Sequence, residues 1–375
     1  MKLGLVFTLG VSLELWHKLG LFDREKLIYE RLLNSEEIDE IYWFTYGGND
    51  KKYEKYLKKD INIVSMPKIF SGRIGKFLYS LCIPFLHRKY FRNLTLIKTN
   101  QIRGSWSAVI ASLLYRKPLI VRTGYTWSIN AKKERKVLSL DQIAGFVEKI
   151  AYKIADAAIV SSKNDAEYIK KEYRISAEKV YVIGNYIDVD SFKPDTNSCK
   201  YADRIIFVGR LAREKNLKNL IQAIIGLPYT LDVYYHDGTL KNELEAFAAK
   251  NGSKIFFRGN VRNNQLSDVL NKYQLFILPS LYEGMPKALL EAMSCGLAVL
   301  GTDVQGINEV ITHSVNGWLV KGTDAESIKE GIITLMSKKE LRQKLGTAAR
   351  EFIKEEFSLS RITNKEIHVY SMLVR

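Results

Sequence analysis

The chain has 375 residues, of which 46% are apolar, and it carries a formal net charge of +16. That length predicts two domains with ordinary globular cores, and nothing in the sequence is repetitive or low in complexity. Cys82, Cys199 and Cys295 are odd in number and far apart, which argues against a disulfide framework or a metal knot and for a reducing compartment.

The first ten residues, MKLGLVFTLG, form an apolar run that is short for a signal peptide. The run leads into Glu14 and His17 with no convincing cleavage site, so it reads as a first buried strand. No uncharged apolar run approaches the length that crosses a bilayer, so no transmembrane helix is expected. Strands are predicted at 3–8, 41–45, 61–65, 95–99, 119–122, 157–161 and 180–183. Helices are predicted at 24–33, 74–88, 106–115, 142–155 and 165–173. Strands separated by helices imply βαβ units and a parallel sheet covered on both faces.

Residues from about Asn185 to Lys200 are polar and turn-rich and read as a linker. The alternation then restarts, with strands at 205–208, 231–235, 255–257, 275–278, 298–300 and 318–320. Helices lie between these strands and then at 325–336 and 339–355, before a closing helix over 359–373. The expected fold is α/β with two doubly wound Rossmann-like domains facing a central cleft. The domains are 1–187 and 200–355, joined by 188–199, and residues 356–375 form a helix expected to return to the first domain. Ligands of such sheets bind beyond the carboxyl ends of the strands, so two facing domains suggest a two-substrate enzyme.

The charge is unevenly placed. Residues 1–190 hold 32 Lys and Arg against 21 Asp and Glu, a net +11, which leaves +5 for the remainder. From Ile61 to Lys133 there is no acidic residue, while thirteen basic ones occur. A solvated basic face would explain this, and so would an anionic membrane surface, a phosphorylated acceptor or a nucleic acid. Within the interval, Ile74, Phe77, Leu78, Leu81, Cys82 and Phe85 fall close to one helical face. Pro84 is expected to kink or interrupt that helix. The stripe is either a core-facing helix with basic ends or a monotopic membrane helix.

The densest motif runs from Pro279 to Asp303. An apolar strand at 275–278 leads into a turn, Pro279 to Gly284, that contains Glu283. Pro286 stands where a helix begins, and Gly296 where it ends. Backbone N–H groups at such a turn and helix start form an anion site. Upstream, Phe207 to Leu211 ends a strand, and Arg210 and Lys215 in the following connection could clamp a diphosphate. Taken singly, Arg210 and Lys215 would be ordinary loop cations and Glu291 an ordinary solvated helix glutamate.

In combination and in order, these stretches resemble the retaining nucleotide-sugar glycosyltransferases of family 4 (glycosyl transferases group 1), which have the GT-B fold. The residues that carry the resemblance are Phe207–Leu211 with Lys215, Pro279–Gly296, Thr302–Val310 (TDVQGINEV) and Asn316-Gly-Trp-Leu-Val. Asp156–Ser161 and Val182–Pro194 (VIGNYIDVDSFKP) fit as well, so the resemblance covers roughly 155–350.

The resemblance implies a nucleotide-sugar donor, UDP- or GDP-linked, as a substrate, with no cofactor and no metal. Arg210 and Lys215 would hold its diphosphate, beside Gly209. Glu283 would accept from sugar hydroxyls, and Gly284, Met285 and Lys287 would offer backbone N–H groups around Pro286. Glu291 would accept from the ribose diol. The catalytic set is then Glu283, Arg210 and Lys215. Gly10 would let the first domain's backbone approach the donor phosphates, although the family often has two adjacent glycines where this chain has Leu9-Gly10-Val11.

A histidine common in the family after the strand at 119–122 is replaced, and Gly124 falls about there. Arg122, Thr123 or Tyr125 are the acceptor-side candidates, and no catalytic base is assigned. His17, His87, His236, His313 and His368 are expected to be structural or exposed. The implied partners are a nucleotide sugar, a glycan or lipid-linked acceptor, and an anionic membrane surface met by residues 61–133. The implied location is cytoplasmic, peripheral on the inner face of the cell membrane. A nucleic-acid binder using the basic half would leave the C-terminal constellation unexplained, so no nucleic acid is expected. An epimerase or phosphorylase of the same fold would lack this Glu-Gly-x-Pro context.

Overall fold

A computed structural model of the chain describes residues 1–124, 128, 138–252 and 254–374. The chain divides into two compact units, Met1–Gly184 with Ile362–Arg375, and Asn185–Arg361.

The first unit is built on seven parallel strands: β1 (Lys2–Val6), β2 (Glu40–Phe44), β3 (Ile61–Val64), β4 (Leu96–Thr99), β5 (Leu119–Thr123), β6 (Ala157–Val160) and β7 (Val180–Val182). Their order is β3-β2-β1-β4-β5-β6-β7. Short strands such as LIKT and AAIV are buried at every position, as sheets with helices on both faces require. The order reverses between β1 and β4, and Gly10 follows β1 at that carboxyl edge. Gly10 has φ +80 and closes a turn in which the Val11 N–H donates to the Thr8 carbonyl at 2.9 Å.

A short helix, Leu13–Lys18, comes next and is not visible in the apolar periodicity of the sequence. Its first turn is closed by side chains. The Leu15 N–H donates to Ser12 Oγ at 3.1 Å, and the Leu13 N–H donates to the buried carboxylate of Asp50 at 2.9 Å.

Parallel crossovers are right-handed. The connections from β3 onward therefore lay their helices on one face of the sheet: Gly72–Leu86, Trp106–Tyr115, Leu138–Ile154 and Lys163–Tyr173. The helix Phe22–Leu32 covers the other face. Helix Gly72–Leu86 bears on two readings left open by the sequence. It runs through Pro84 without interruption and ends at His87. Proline cannot donate to the Ser80 carbonyl one turn back, and the Ser107 hydroxyl donates to that carbonyl instead, at 2.5 Å. The helix also does not turn its apolar stripe into the core. Tyr79, Ser80, Ile83 and Pro84 are its buried residues, whereas Ile74, Phe77, Leu78, Leu81 and Phe85 are exposed.

The closing helix, Leu359–Val374, carries Glu366 and Tyr370 into the first unit. There the Lys98 ammonium donates to Glu366 at 2.5 Å and to the Tyr370 hydroxyl at 2.7 Å, with all three side chains buried. Burial pushes the Lys98 ammonium down to about 8, against the opposing pull of Glu366. Burial also works against the charge on Glu366, but Lys98 and Arg122 hold its carboxyl below the usual range.

The second unit has six parallel strands: β8 (Arg204–Val208), β9 (Thr230–Tyr234), β10 (Ile255–Gly259), β11 (Leu275–Leu278), β12 (Ala298–Thr302) and β13 (Trp318–Val320). Their order is β10-β9-β8-β11-β12-β13, so the reversal lies between β8 and β11. Its core joins these strands to the inner faces of helices Leu217–Ile224, Lys287–Ser294, Ala325–Ser337 and Lys339–Glu356. The stretch 188–199 is fastened to this unit. Phe192 is buried in its core, and Arg350 donates to the carbonyls of Phe192 at 2.6 Å and Val189 at 2.8 Å.

Candidate active site

In the second unit the loops after β8 and β11 leave adjacent strands at the reversal point, where ligands of doubly wound sheets bind. This explains how residues 68 apart in sequence come to touch. The β8 loop begins at Gly209, whose N–H still pairs with the Tyr234 carbonyl at 3.1 Å. It continues through a single 3-10 turn, Arg213–Lys215, and ends at Asn216 in the left-handed region (φ 55). The Asn216 side-chain amide donates to the Pro279 carbonyl at 3.0 Å and to the Thr323 carbonyl at 2.7 Å. The Leu281 N–H donates to the Glu214 carbonyl at 2.8 Å. The two loops are thus hydrogen-bonded to each other along their length.

That framework sets the polar centre. Lys215 Nζ donates to Glu283 Oε1 at 2.5 Å, and the Ser280 hydroxyl donates to the same oxygen at 2.6 Å. Both partners of the ion pair are largely shielded, with side chains 14% and 9% exposed. Glu283 Oε2 has no partner among the described residues, so it remains an acceptor. The turn is held from behind by the Glu283 N–H donating to the Gln305 carbonyl at 3.0 Å, and by Gly306 (φ +83) lying directly against it. Arg210 stands in a different environment. It is exposed, and its guanidinium donates to Glu214 at 2.8 Å.

The helix that follows runs Lys287–Ser294, with Pro286 at its N-cap and Gly296 (φ +71) just beyond its C-cap. Among the described residues, neither the Gly284 nor the Met285 N–H has an acceptor. The Met285 carbonyl accepts from the Asn185 side-chain amide at 2.8 Å, and Lys287 Nζ lies 5.6 Å from the centre of the Tyr186 ring. Glu291 is not the solvated glutamate of its single-residue reading. It is 3% exposed, and its Oε1 accepts from the Asn263 side-chain amide at 3.0 Å.

A carboxylate acceptor, an exposed guanidinium, an ammonium and two unpaired amides in one place suit a ligand with both hydroxyls and phosphates. Cys295 takes no chemical part: burial pushes its thiol up to about 12. Among the described residues no group of three or more His, Cys, Asp or Glu could hold a metal ion.

Sequence reasoning missed Ser280, Asn263, Asn185 and Asn216. Ser280 lies three residues before Glu283, a spacing that closes one turn and could have drawn attention to it. The three asparagines act across distances of 28 to 107 residues, for which the sequence has no local signal.

In the first unit, Gly10 lies beside Lys76, whose ammonium donates to the Gly10 carbonyl at 3.3 Å. Arg122 is drawn inward, with its guanidinium 3.6 Å from Glu366. Thr123 is buried. Gly124 is held on both sides: its N–H donates to Gln101 at 2.8 Å, and its carbonyl accepts from the Ser161 hydroxyl at 2.9 Å. Tyr125 lies outside the described residues.

Comparison with known proteins follows the same division. Residues 188–352 match the family model described as "Glycosyl transferases group 1", and residues 36–191 match "Glycosyltransferase Family 4". An uncharacterized glycosyltransferase of Methanocaldococcus jannaschii is 27% identical over 61% of this chain and 61% of its own. The UDP-Gal:alpha-D-GlcNAc-diphosphoundecaprenol alpha-1,3-galactosyltransferase of Escherichia coli is 28% identical over 62% of this chain and 64% of its own. The chain thus matches a little over three fifths of the length of these relatives. Among solved structures, Anabaena HepE in complex with UDP superposes with a TM-score of 0.77 at 17% identity, covering all of both chains. That likeness carries the fold.

Proposed function

The chain belongs to the group 1, family 4 glycosyltransferases with the GT-B fold, and we propose that it moves a sugar, with retention of configuration, from a nucleoside-diphosphate sugar to a cell-surface glycan or lipid-linked oligosaccharide at the cytoplasmic face of the membrane. The observation that carries this reading is the Lys215–Glu283–Ser280 cluster at the strand-order reversal. Its two donors on Oε1 fix the carboxylate and leave Oε2 to accept a sugar hydroxyl. Lys215 exchanges part of its bond with Glu283 for the donor's β-phosphate, and Arg210 exchanges Glu214 for the diphosphate. The Gly284 and Met285 amides take the remaining phosphate or sugar oxygens. Glu291, already fixed by Asn263, accepts from the ribose diol.

In the retaining step the acceptor oxygen attacks the anomeric carbon from the side the diphosphate leaves. The C–O bond to the diphosphate breaks, the new glycosidic bond forms, and the departing phosphate oxygen takes the acceptor proton. Lys215 and Arg210 stabilise the charge that develops on the leaving group, so the positive charge a metal would bring is supplied by side chains. UDP- and GDP-sugars are the expected donors. The E. coli relative's own substrate names, UDP-Gal and a diphosphoundecaprenol acceptor, support that choice and a lipid-linked acceptor.

The test is release of nucleoside diphosphate from a panel of UDP- and GDP-sugars, with and without acceptor, in the presence of a chelator. Acceptor-dependent release separates transfer from epimerisation. Lys215→Ala and Glu283→Ala are each expected to lower turnover by about a hundredfold or more, the scale for removing one charge-stabilising group. Full activity in both variants would refute the assigned site.

A further inference from the structure

Helix Gly72–Leu86 leaves large apolar side chains in water, and its neighbours do the same. Ile74 is 77% exposed and Phe85 58%. Leu113 and Leu114, on the adjoining helix Trp106–Tyr115, are also exposed, as are Phe146 (65%) and Ile150 on helix Leu138–Ile154. These three helices pack side by side on one face of the sheet, so the residues form one surface rather than scattered single exposures. Scattered exposed apolar residues need no explanation, but a contiguous set marks an interaction site.

The charge around helices Gly72–Leu86 and Trp106–Tyr115 has one sign. Arg73, Lys76, Arg88, Arg92 and Arg116 lie on the helices or at their ends, within an interval that has no carboxylate. At the far end of helix Gly72–Leu86 an open groove of about 420 Å³ is lined by Phe85, Arg88, Arg92, Leu114 and Tyr115. Among the described residues, neither the Arg88 nor the Arg92 guanidinium has an ion pair or a hydrogen-bond partner. Two unpaired guanidiniums beside Phe85 and Leu114 fit a phosphate that carries an acyl chain.

We propose that this three-helix face docks on an anionic phospholipid bilayer, with Arg88 and Arg92 holding lipid phosphate in the groove. A helix of fifteen residues is about 22 Å long, short of a hydrocarbon core, so it lies in the interface rather than across it. No helix among the described residues is long and apolar enough to cross a membrane. A second copy of the chain is a poorer occupant, because a two-fold interface would set this basic face against itself. Nucleic acid is poorer too, since aliphatic side chains such as Ile74, Leu78 and Leu81 offer nothing to phosphates or bases. The proposal rests on no part of the donor-site reading, and its test needs no nucleotide sugar.

The experiment is flotation of the full chain with vesicles of phosphatidylcholine alone and of phosphatidylcholine mixed with phosphatidylglycerol. Binding is expected only to the mixed vesicles, and it should weaken as salt is raised. Arg88→Gln with Arg92→Gln should lower partitioning about thirtyfold, the change for two cations near an anionic surface. Phe77→Ser with Phe85→Ser should lower it about tenfold or more even at low salt. Arg88, Arg92, Phe77 and Phe85 are all exposed, so melting temperatures should match the parent. A readout free of these variants is quenching of Trp106, whose ring lies 6.1 Å from that of Phe77, by brominated acyl chains. Trp106→Phe should remove that quenching. Equal binding to both vesicle types, indifference to both variant pairs, or no quenching would overturn the proposal. So would a dimer that Phe77→Ser dissociates, or nucleic-acid binding that needs Arg88 and Arg92 without any vesicle binding.

Discussion

His87 shows how a side chain with no chemical role still sets a property of the molecule. Its ring lies among Phe44, Tyr79 and Tyr90, and its Nε2 pairs with the Tyr79 hydroxyl at 2.9 Å. Burial pushes the imidazole down to about 4, and the nearby Lys89 ammonium adds to the shift. The unfolded chain has an ordinary histidine near 6.5. Above that pH both states are neutral and the contribution to stability is complete. As pH falls from 6.5 towards 4, the unfolded state takes up a proton that the folded state refuses, and stability is lost. Water reaches part of the ring, so the loss is on the order of 1–2 kcal/mol rather than the full shift. His87→Gln should therefore flatten the acid side of the stability profile, read as urea midpoints at pH 7.5 and 4.5. Parallel profiles for parent and variant would remove His87 as the cause. The same scale of reading separates Glu283 from Glu291: one keeps a free oxygen at the cluster, while the other is buried against Asn263.

At the scale of elements, the turn that carries Glu283 depends on a second loop that touches it only through backbone. Gly306 has φ +83, and a Cβ there would lie 2.2 Å from the Gly284 carbonyl oxygen and 2.5 Å from that of Glu283. Gly306→Ala should cost about 1–2 kcal/mol for the left-handed conformation alone, and further for displacing the turn. Gly226→Ala is the matched control, since Gly226 has φ +79 but nothing within 4 Å of the added methyl. If the turn is built as described, Gly306→Ala loses nucleoside-diphosphate affinity by calorimetry while Gly226→Ala loses only melting temperature. Equal affinity in the two variants would sink that account. Elements of this kind were only partly legible in the sequence. All thirteen strands among the described residues could be read, the central ones because doubly covered strands are short, mainly apolar runs between turn residues. The helix Leu13–Lys18 could not, because six residues give no period and, beside the local Ser12 cap, part of its first turn is closed by Asp50, far along the chain. The apolar stripe of helix Gly72–Leu86 was legible as a stripe, but periodicity says only that one face is apolar, not whether protein covers it. At the candidate site, Glu283, Lys215 and Arg210 were recognisable from motif context. Their asparagine supports were not, since only the strand order brings those positions together.

At the scale of the molecule, the chain crosses between its two units twice, at Gly184–Asn185 and again inside the closing helix at Arg361–Ile362. The second crossing makes residues 362–374 part of the first unit, and what fastens them is polar at its centre. Lys98, on β4, meets Glu366 and Tyr370, and Arg122 on β5 adds a second cation near the same carboxylate. A buried pair of this kind contributes little net stability compared with apolar side chains of the same volume, but removing one partner strands the other. Glu366→Leu alone should therefore destabilise the first unit by about 3–5 kcal/mol, leaving Lys98 as an uncompensated buried ammonium. Lys98→Met alone should do similar damage through Glu366. The double variant Lys98→Met/Glu366→Leu should recover most of the loss, though not all, because Arg122 still faces the site. Two units of similar size do not guarantee a single unfolding transition, so the measurement should be local: amide hydrogen exchange over residues 362–374, alongside thermal unfolding. Accelerated exchange in each single variant and near-parental exchange in the double one is the expected pattern. Strictly additive losses would mean that Lys98 and Glu366 act independently, and that apolar packing around Ile362 and Val369 holds the helix instead.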